Sequence, residues 1–322
     1  MIEQQHADAF GEWFNVLLRN VATVIKGKDD QIAMALVCLL SEGHLLLEDK
    51  PGTGKTSLAK SIANSFRGSW DRIQFTPDLL PSDVTGGLVY NQGSGEFSFM
   101  RGPIFSNVVL ADEINRASPK TQSALLEVME ERQVTTGNET RPVPRPFVVI
   151  ATQNPIEQEG TYRLPEAQLD RFQMRTSLGY PDHDAEVDVL RSIADGVDPS
   201  GIQEVMSTED VAKLVGVAGR VHLEDPIRSY IVRLASETRT MPELRLGVST
   251  RGCIALMKSS CALAASQGRI YVVPDDVKSV AHAVMEHRLL LTPEAELRGV
   301  RTDDLVEQVL DRVEAPSTVR TV

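Results

Sequence analysis

LLLEDKPGTGKTSLAKSIA, residues 45–63, has the composition of a buried strand, a glycine-rich turn and a helix in direct succession. Glycines let the backbone N–H groups of such a turn point inward, and the positive end of the following helix faces the same space. Lys55 adds an ammonium group and Thr56 a hydroxyl suited to magnesium. The pattern predicts a phosphate loop for a nucleoside triphosphate. Its predicted binding residues are Gly52, Thr53, Gly54, Lys55, Thr56 and Ser57.

One position departs from the general phosphate-loop pattern, which expects glycine where this chain has Asp49. Taken alone, the motif is also compatible with a glycine turn ahead of an ordinary helix. The choice between the two depends on the segments that follow in the chain.

Length and composition are those of a globular protein with two domains. The 322 residues are 42% hydrophobic and 24% charged, and domains average about 150 residues. No apolar run approaches the ~20 residues of a membrane span, and the acidic start MIEQQHADAFGEWF is unlike a signal peptide. The cysteines Cys38, Cys253 and Cys261 lie among apolar residues, which indicates free thiols. We therefore predict a cytoplasmic protein without a membrane span.

The charge balance disfavours nucleic acid as the main partner. With 33 basic and 45 acidic residues, the formal net charge is −12. Proteins that bind a phosphate backbone usually carry a basic face, because each neutralised phosphate releases counterions. A small basic channel in an acidic particle remains compatible with this charge.

The apolar pattern predicts an α/β core over residues 1–181. Strand candidates without polar alternation alternate with helices, which indicates a sheet buried on both faces. Turn residues between β-prone runs predict hairpins at residues 84–105 and 132–146. Ser118 and Pro119 have the residue types of an N-cap and a first helical position. Besides the helix at Lys55, the predicted core helices are 7–22, 30–40 and 118–131, and the further strands are 72–75, 107–111 and 146–152.

From residue 182 the pattern becomes helical. Apolar residues recur at helical spacing, as at Ile227, Tyr230, Ile231 and Leu234. We predict a helical domain over residues 182–313 and a disordered tail over residues 314–322. Its predicted helices are 184–193, 208–221, 226–238, 250–266 and 274–287.

Polar residues follow two of the buried strands. Asp112 ends the strand VVLAD and Glu113 follows it; Asp112 is placed to hold magnesium, and Glu113 to polarise a water for attack on the terminal phosphate. Asn154 follows the next apolar strand, at the sheet edge where such folds place ligand contacts. Strand ends of this kind also arise by chance, and Asn-Pro alone is a turn signal. Together with the phosphate loop, the two carboxylates predict a nucleotide site.

Val24 and Ile25 precede the phosphate loop and are candidates for one wall of an adenine pocket. The same residues are equally compatible with a plain turn between two helices. The sequence alone does not separate these interpretations.

Arg171 and Arg251 are candidates for transition-state stabilisation. Surface arginines are usually solvated or paired. During phosphoryl transfer, however, charge spreads over three oxygens, and a well-placed guanidinium accelerates the reaction by ~10³ to 10⁵. Both arginines are therefore predicted to serve the site.

Five motifs in this order closely resemble the MoxR family of AAA+ ATPases. They are PGTGKT, VVLADEINRASPKTQSALLEVMEE, ATQNP, EGTYRLPEAQLDRF and GVSTRG. The resemblance extends from about residue 10 to about residue 310, and an aspartate at the position of Asp49 is usual in this family. It implies a five-stranded parallel sheet, a C-terminal all-helical lid, and a ring, usually of six subunits, with ATP and magnesium at each interface.

The resemblance also implies roles for individual residues. Lys55 binds phosphate, while Thr56 and Asp112 hold the metal. Glu113 serves the attacking water, and Asn154 is sensor 1.

For the two arginines, the resemblance implies different targets. Arg251 resembles sensor 2, which reaches from the lid onto its own subunit's nucleotide. Arg171 resembles the arginine finger inserted into a neighbour's site, with Arg163 and Arg175 as nearby alternatives.

The function implied is ATP hydrolysis coupled to remodelling, assembly or activation of partner proteins. The two hairpins resemble inserts that line the pore of the ring. Family members are often associated with proteins that contain a von Willebrand factor A domain, which here would be on a separate chain. Three alternatives remain: a metal-chelatase motor subunit, a nucleotide-gated scaffold without productive hydrolysis, and a helicase-like motor, which the net charge weakens.

Overall fold

The computed structural model describes residues 2–50, 52–93, 95–153, 162, 164–194 and 202–316. In chain order, its strands are β1 (Leu45–Glu48), β2 (Trp70–Gln74), β3 (Gly86–Asn91), β4 (Glu96–Arg101), β5 (Val108–Asp112), β6 (Gln133–Thr136), β7 (Glu139–Pro142), β8 (Val148–Gln153), β9 (Met174–Thr176), β10 (Leu244–Leu246) and β11 (Leu290–Leu291). Its helices are α1 (Gln4–Ala22), α2 (Asp29–Leu40), α3 (Lys55–Ser65), α4 (Pro81–Thr85), α5 (Pro119–Glu131), α6 (Glu166–Leu169), α7 (His183–Ala194), α8 (Thr208–Ala218), α9 (Asp225–Thr240), α10 (Thr250–Ser266), α11 (Pro274–Met285), α12 (Pro293–Leu297) and α13 (Thr302–Arg312).

Five strands form one parallel sheet in the order β2-β5-β8-β1-β9. Successive side chains of β1 face opposite sides, so that Leu45 and Leu47 belong to one hydrophobic cluster and Leu46 to the other. The central strands β5 and β8 alternate in the same way. Because helices cover both faces, these strands can be apolar throughout. The predicted α/β core with a five-stranded parallel sheet is confirmed.

Helix α5 covers one face of the sheet through Leu125, Leu126 and Met129. It begins as predicted: Pro119 is its first residue, and the backbone N–H of Thr121 donates to Ser118 Oγ at 3.4 Å. The other face is covered by α1, α2 and α3. The two layers hold the phosphate loop, which joins β1 to α3, against a rigid support.

The opening helix α1 packs on both parts of the chain. Its Asn20 donates to Ser65 Oγ at the end of α3 at 3.0 Å, and its Gln4 donates to the Gly268 carbonyl beyond α10 at 2.7 Å. One hydrophobic cluster therefore runs from the sheet through α1 to the C-terminal helices. The boundaries 1–181 and 182–313 stay predictions, and residues 317–322 of the predicted tail lie outside the described ranges.

Both hairpins form, as β3–β4 and β6–β7. The C-terminal part is helical as predicted, except for a short antiparallel pair, β10–β11, in which Leu244 pairs with Leu291. Helical periodicity does not reveal a contact between such distant segments. In the described ranges, no helix combines the length and apolarity needed to cross a membrane, and Cys38, Cys253 and Cys261 are free thiols.

Candidate nucleotide-binding site

The phosphate loop adopts backbone conformations that favour glycine. Gly52 and Gly54 have φ angles of +80° and +88°, in a region that other residues rarely adopt. Helix α3 begins directly afterwards at Lys55, whose Nζ donates to the carbonyls of Asp49 at 3.2 Å and Lys50 at 2.8 Å. The ammonium group is thus held over the loop.

A cavity of about 540 Å³ opens between this loop and the carboxyl ends of β2, β5 and β8. It brings together most of the residues predicted from the motifs. Its lining comprises residues 52–57, Asp49, Arg72, Gln74, Asp112, Glu113, Thr152 and Gln153. Segments far apart in the sequence therefore converge on one site of the size expected for a small-molecule ligand.

Asp112 is held in place by two neighbouring strands. Its Oδ1 accepts from Thr152 Oγ1 at 2.6 Å, and its Oδ2 accepts from Arg72 Nη2 at 2.5 Å. The carboxylate and the Thr56 hydroxyl line the same cavity, and magnesium prefers such oxygen ligands. In the described part of the chain, no three His, Cys, Asp or Glu side chains are clustered to hold a metal. The site fits magnesium, which usually takes one or two protein carboxylates plus water and phosphate oxygens.

Glu113 has an unusual backbone conformation, with φ 56° and ψ 50°. A non-glycine residue in this region costs about 1 kcal/mol or more, and such strain concentrates at functional sites. Its N–H donates to Thr152 Oγ1 at 2.8 Å, and its Oε2 accepts from Gln74 Nε2 at 3.1 Å and Arg116 Nη1 at 2.7 Å. The turn thus aims the carboxylate into the cavity.

Sequence reasoning missed several residues that line this cavity, among them Arg72, Gln74 and Thr152. Thr152 uses one buried hydroxyl to hold both carboxylate residues. Arg72 and Gln74 lie two residues apart on β2 and point to the same side. A signal was available, because polar residues at alternate positions near a strand end face one ligand edge.

Asp49 has a structural role that explains the departure from glycine. Its buried carboxylate accepts from Ser177 Oγ at 2.8 Å, from the Leu178 N–H at 2.6 Å and from the Gly179 N–H at 2.9 Å. It therefore fixes the start of the phosphate loop to the segment that follows β9.

Ile25 lies against the phosphate loop, and Val24 is half-buried against the core. The Ile25 Cδ1 atom lies 3.9 Å from where a Cβ on Gly54 would stand. Neither residue lines the 540 Å³ cavity. The adenine wall stays a prediction. Asn154 and Arg163 lie outside the described residues.

The two candidate arginines lie together in a second cavity, of about 280 Å³. Arg171 Nη2 is 3.0 Å from Glu130 Oε2, and Arg251 Nη2 is 2.5 Å from Glu130 Oε1. Arg251 opens α10 as predicted, but it does not line the phosphate cavity of its own subunit. Helix α10 begins beside the end of α5, and the role of Arg251 as sensor 2 stays a prediction.

Arg175, the alternative to Arg171, is used differently. Its guanidinium lies 2.8 Å from Glu48 and 2.7 Å from Glu286 and so joins β1 to the lid. Both guanidinium nitrogens that make these contacts, Nη1 and Nη2, are therefore engaged in ion pairs within the subunit. Of the two described candidates, Arg171 is the one that lines the second cavity.

Buried polar groups support the second cavity. Arg288 Nε donates to Asp170 Oδ1 at 2.8 Å, and burial lowers the pKa of this arginine. Burial, followed by the nearby Arg132, lowers the pKa of His44 to about 3. The neutral His44 ring accepts from the Val149 N–H and donates to the Met129 carbonyl. These contacts fix the end of α5 against β8 without a charge that titrates near neutral pH.

Comparison with protein families places the fold in the AAA class. Residues 44–174 match the ATPase family associated with various cellular activities (AAA). Residues 236–309 match the AAA lid domain. The first match contains β1, β2, β5 and β8 of the sheet with the two carboxylates, and the second contains most of the helices beyond α8.

Individual relatives give a finer assignment. Chaperone MoxR1 of Mycobacterium tuberculosis is 41% identical over 92% of this chain and 80% of its own length. Protein YeaC of Bacillus subtilis is 47% identical over 93% of both chains. A crystal structure of a candidate ATPase from Cytophaga hutchinsonii superposes with a TM-score of 0.91 at 39% identity, covering 97% of each chain. The chain belongs to the MoxR family of AAA+ ATPases.

Proposed function

We propose that this protein hydrolyses ATP with magnesium and uses the nucleotide cycle to remodel, assemble or activate partner proteins. The observation that carries the proposal is the convergence of Lys55, Thr56, Asp112 and Glu113 on one cavity. Phosphoryl transfer needs these functions at one place: phosphate binding, metal binding and orientation of the attacking water.

Each residue has a stated task in this proposal. The loop N–H groups and Lys55 bind the phosphates, while Thr56 and Asp112 hold magnesium. When bound, magnesium neutralises charge on the phosphate oxygens. Glu113 orients the attacking water and accepts its proton, from a position fixed by Thr152 and Gln74.

Both candidate arginines are proposed to act on the nucleotide of a neighbouring subunit. Arg171 and Arg251 share a cavity other than the phosphate cavity of their own chain, so a second subunit would have to bring its nucleotide to them. The proposed assembly is a homo-oligomeric ring, for which six subunits is the family expectation. In this arrangement Arg251 joins Arg171 as a group acting in trans.

The hairpin β3–β4 is the proposed contact with a client protein. Its side chains Leu88, Tyr90, Phe97 and Met100 are large, apolar and at least half exposed. Exposed apolar patches of this kind often mark interaction sites. A partner with a von Willebrand factor A domain on a separate chain remains part of the proposal.

Glu113→Gln tests the enzymatic part. The variant should retain ATP binding, because the phosphate loop is unchanged, and should lose turnover by about 10² or more, because the amide cannot accept the proton. Steady-state phosphate release and nucleotide affinity are the measurements, with Glu127→Gln on the exposed side of α5 as control. Undiminished hydrolysis would remove the role given to Glu113, and no hydrolysis by the wild type would favour a scaffold.

A further inference from the structure

On the basis of the proposed function, we infer that Glu130 is the positioning residue that presents Arg171 and Arg251 as one unit to the neighbouring nucleotide. Glu130 lies in the last turn of α5. Each of its carboxylate oxygens contacts a different arginine, at 3.0 Å for Arg171 and 2.5 Å for Arg251. One arginine comes from the segment after α6 and the other from α10, so a single carboxylate joins the core to the lid.

The surrounding charge explains why such a carboxylate is needed. The cavity is lined by six basic side chains and three acidic ones, Glu42, Glu130 and Asp170. Like-charged guanidinium groups repel one another, and an intervening carboxylate offsets that repulsion. Without Glu130, we expect the two arginines to separate and their long side chains to sample many rotamers.

Asp170 continues this network of ion pairs toward the lid. Its Oδ2 lies 3.9 Å from Arg251 Nη1 and accepts from Ser249 Oγ at 2.8 Å. Its Oδ1 accepts from the buried Arg288. Positively and negatively charged side chains therefore alternate in the order Arg171, Glu130, Arg251, Asp170 and Arg288. The buried Arg288 connects the exposed end of this series to the protein interior.

The geometry is compatible with simultaneous phosphate binding. A guanidinium carries five N–H donors in a planar fork, so it can bind phosphate oxygens while it keeps one carboxylate contact. The side chains of Arg251 and Glu130 are 44% and 40% exposed, which leaves this face accessible to a neighbouring subunit.

Glu130→Gln in the full chain, under assembling conditions, tests the inference. A displacement of about 1 Å can cost ~10² in rate, so we expect kcat to fall about 10- to 100-fold. The affinity for a fluorescent ATP analogue, the size of the assembly and the melting temperature should stay at wild-type values. Glu127→Gln, also on α5, is the matched control and should keep wild-type kcat.

The arginine-deficient background separates positioning from a general structural effect. In Arg171→Ala/Arg251→Ala subunits, adding Glu130→Gln should change kcat less than twofold, since nothing is left to position. An equal loss in both backgrounds would overturn the inference, as would an unchanged or higher kcat of the single variant. If Glu130→Gln does not fold, Glu130→Asp gives the same test. Aspartate keeps the negative charge, but its shorter side chain moves the carboxylate oxygens away from the two arginines.

The same variants distinguish failure of this inference from failure of the proposed function. If Arg171→Ala/Arg251→Ala hydrolyses ATP at the wild-type rate, the arginines have no role and the proposed shared site is wrong. If that variant is inactive and Glu130→Gln is fully active, only the positioning role is wrong.

Discussion

Asp49 shows how a single residue can replace an expected glycine without loss of the site. Its carboxylate accepts two backbone N–H groups and one hydroxyl from the segment after β9. The carboxylate therefore joins the phosphate loop to the edge of the sheet. The motif alone could not show this, because the donors are about 130 residues away along the chain.

Asp49→Asn should destabilise the protein. The amide NH₂ would face N–H donors in a buried position, and leaving buried donors unsatisfied costs about 2 kcal/mol. Urea unfolding should show a lower midpoint, whereas the exposed Asp311→Asn should leave the midpoint unchanged. A wild-type midpoint for Asp49→Asn would contradict the role given to this carboxylate.

At the scale of elements, the lid is fastened to the core by a buried arginine that follows α11. Arg288 reaches Asp170, Phe172 and Gln173, which lie between α6 and β9. These residues flank Arg171. The orientation of the lid and the position of the candidate finger therefore depend on the same contacts.

Arg288→Met should loosen this junction. Removing the buried guanidinium leaves Asp170 Oδ1 and the carbonyls of Phe172 and Gln173 without their donor, and breaking a buried ion pair in this way costs about 3 kcal/mol. The expected result is a lower urea midpoint with an unchanged slope, measured against the exposed Arg298→Met. Equal midpoints for the two variants would show that the buried contacts do not stabilise the junction.

The sequence predicted the elements better than their mutual arrangement. Apolar runs located β1, β5 and β8, and the residue types of Ser118 and Pro119 located the start of α5, because these signals are local. The position of Arg251 was not predictable in this way. Its contact with Glu130 joins residues 121 apart, and it depends on how the whole lid is turned against the core.

The residues of the candidate site likewise differ in how far the local sequence predicts them. Lys55, Thr56, Asp112 and Glu113 stand at the ends of buried strands or at a glycine turn, so their convergence followed from the fold class. The alternation of Arg72 and Gln74 along β2 is a local signal. The position of these two residues and of Thr152 beside Asp112, however, depends on strand register, in which Gln74 pairs with Asp112 across β2 and β5. Cross-strand register is not visible in a single segment.

At the scale of the whole molecule, the proposed ATPase site is incomplete in each subunit. The phosphate cavity holds the binding and metal residues, whereas the two arginines lie in a separate cavity. A ring built from head-to-tail interfaces would bring one cavity of each subunit to the other cavity of its neighbour. Fast hydrolysis would then require assembly.

Mixing two strongly impaired variants before assembly is the most direct test of a site shared between subunits. Glu113→Gln subunits have both arginines but a defective phosphate cavity. Arg171→Ala/Arg251→Ala subunits have an intact phosphate cavity but lack both arginines. In rings mixed at equal amounts, roughly one interface in four combines an intact pocket with intact arginines. We predict ATP hydrolysis well above that of either variant alone. A mixture no more active than the average of its separate components, although mixed rings have formed, would contradict it.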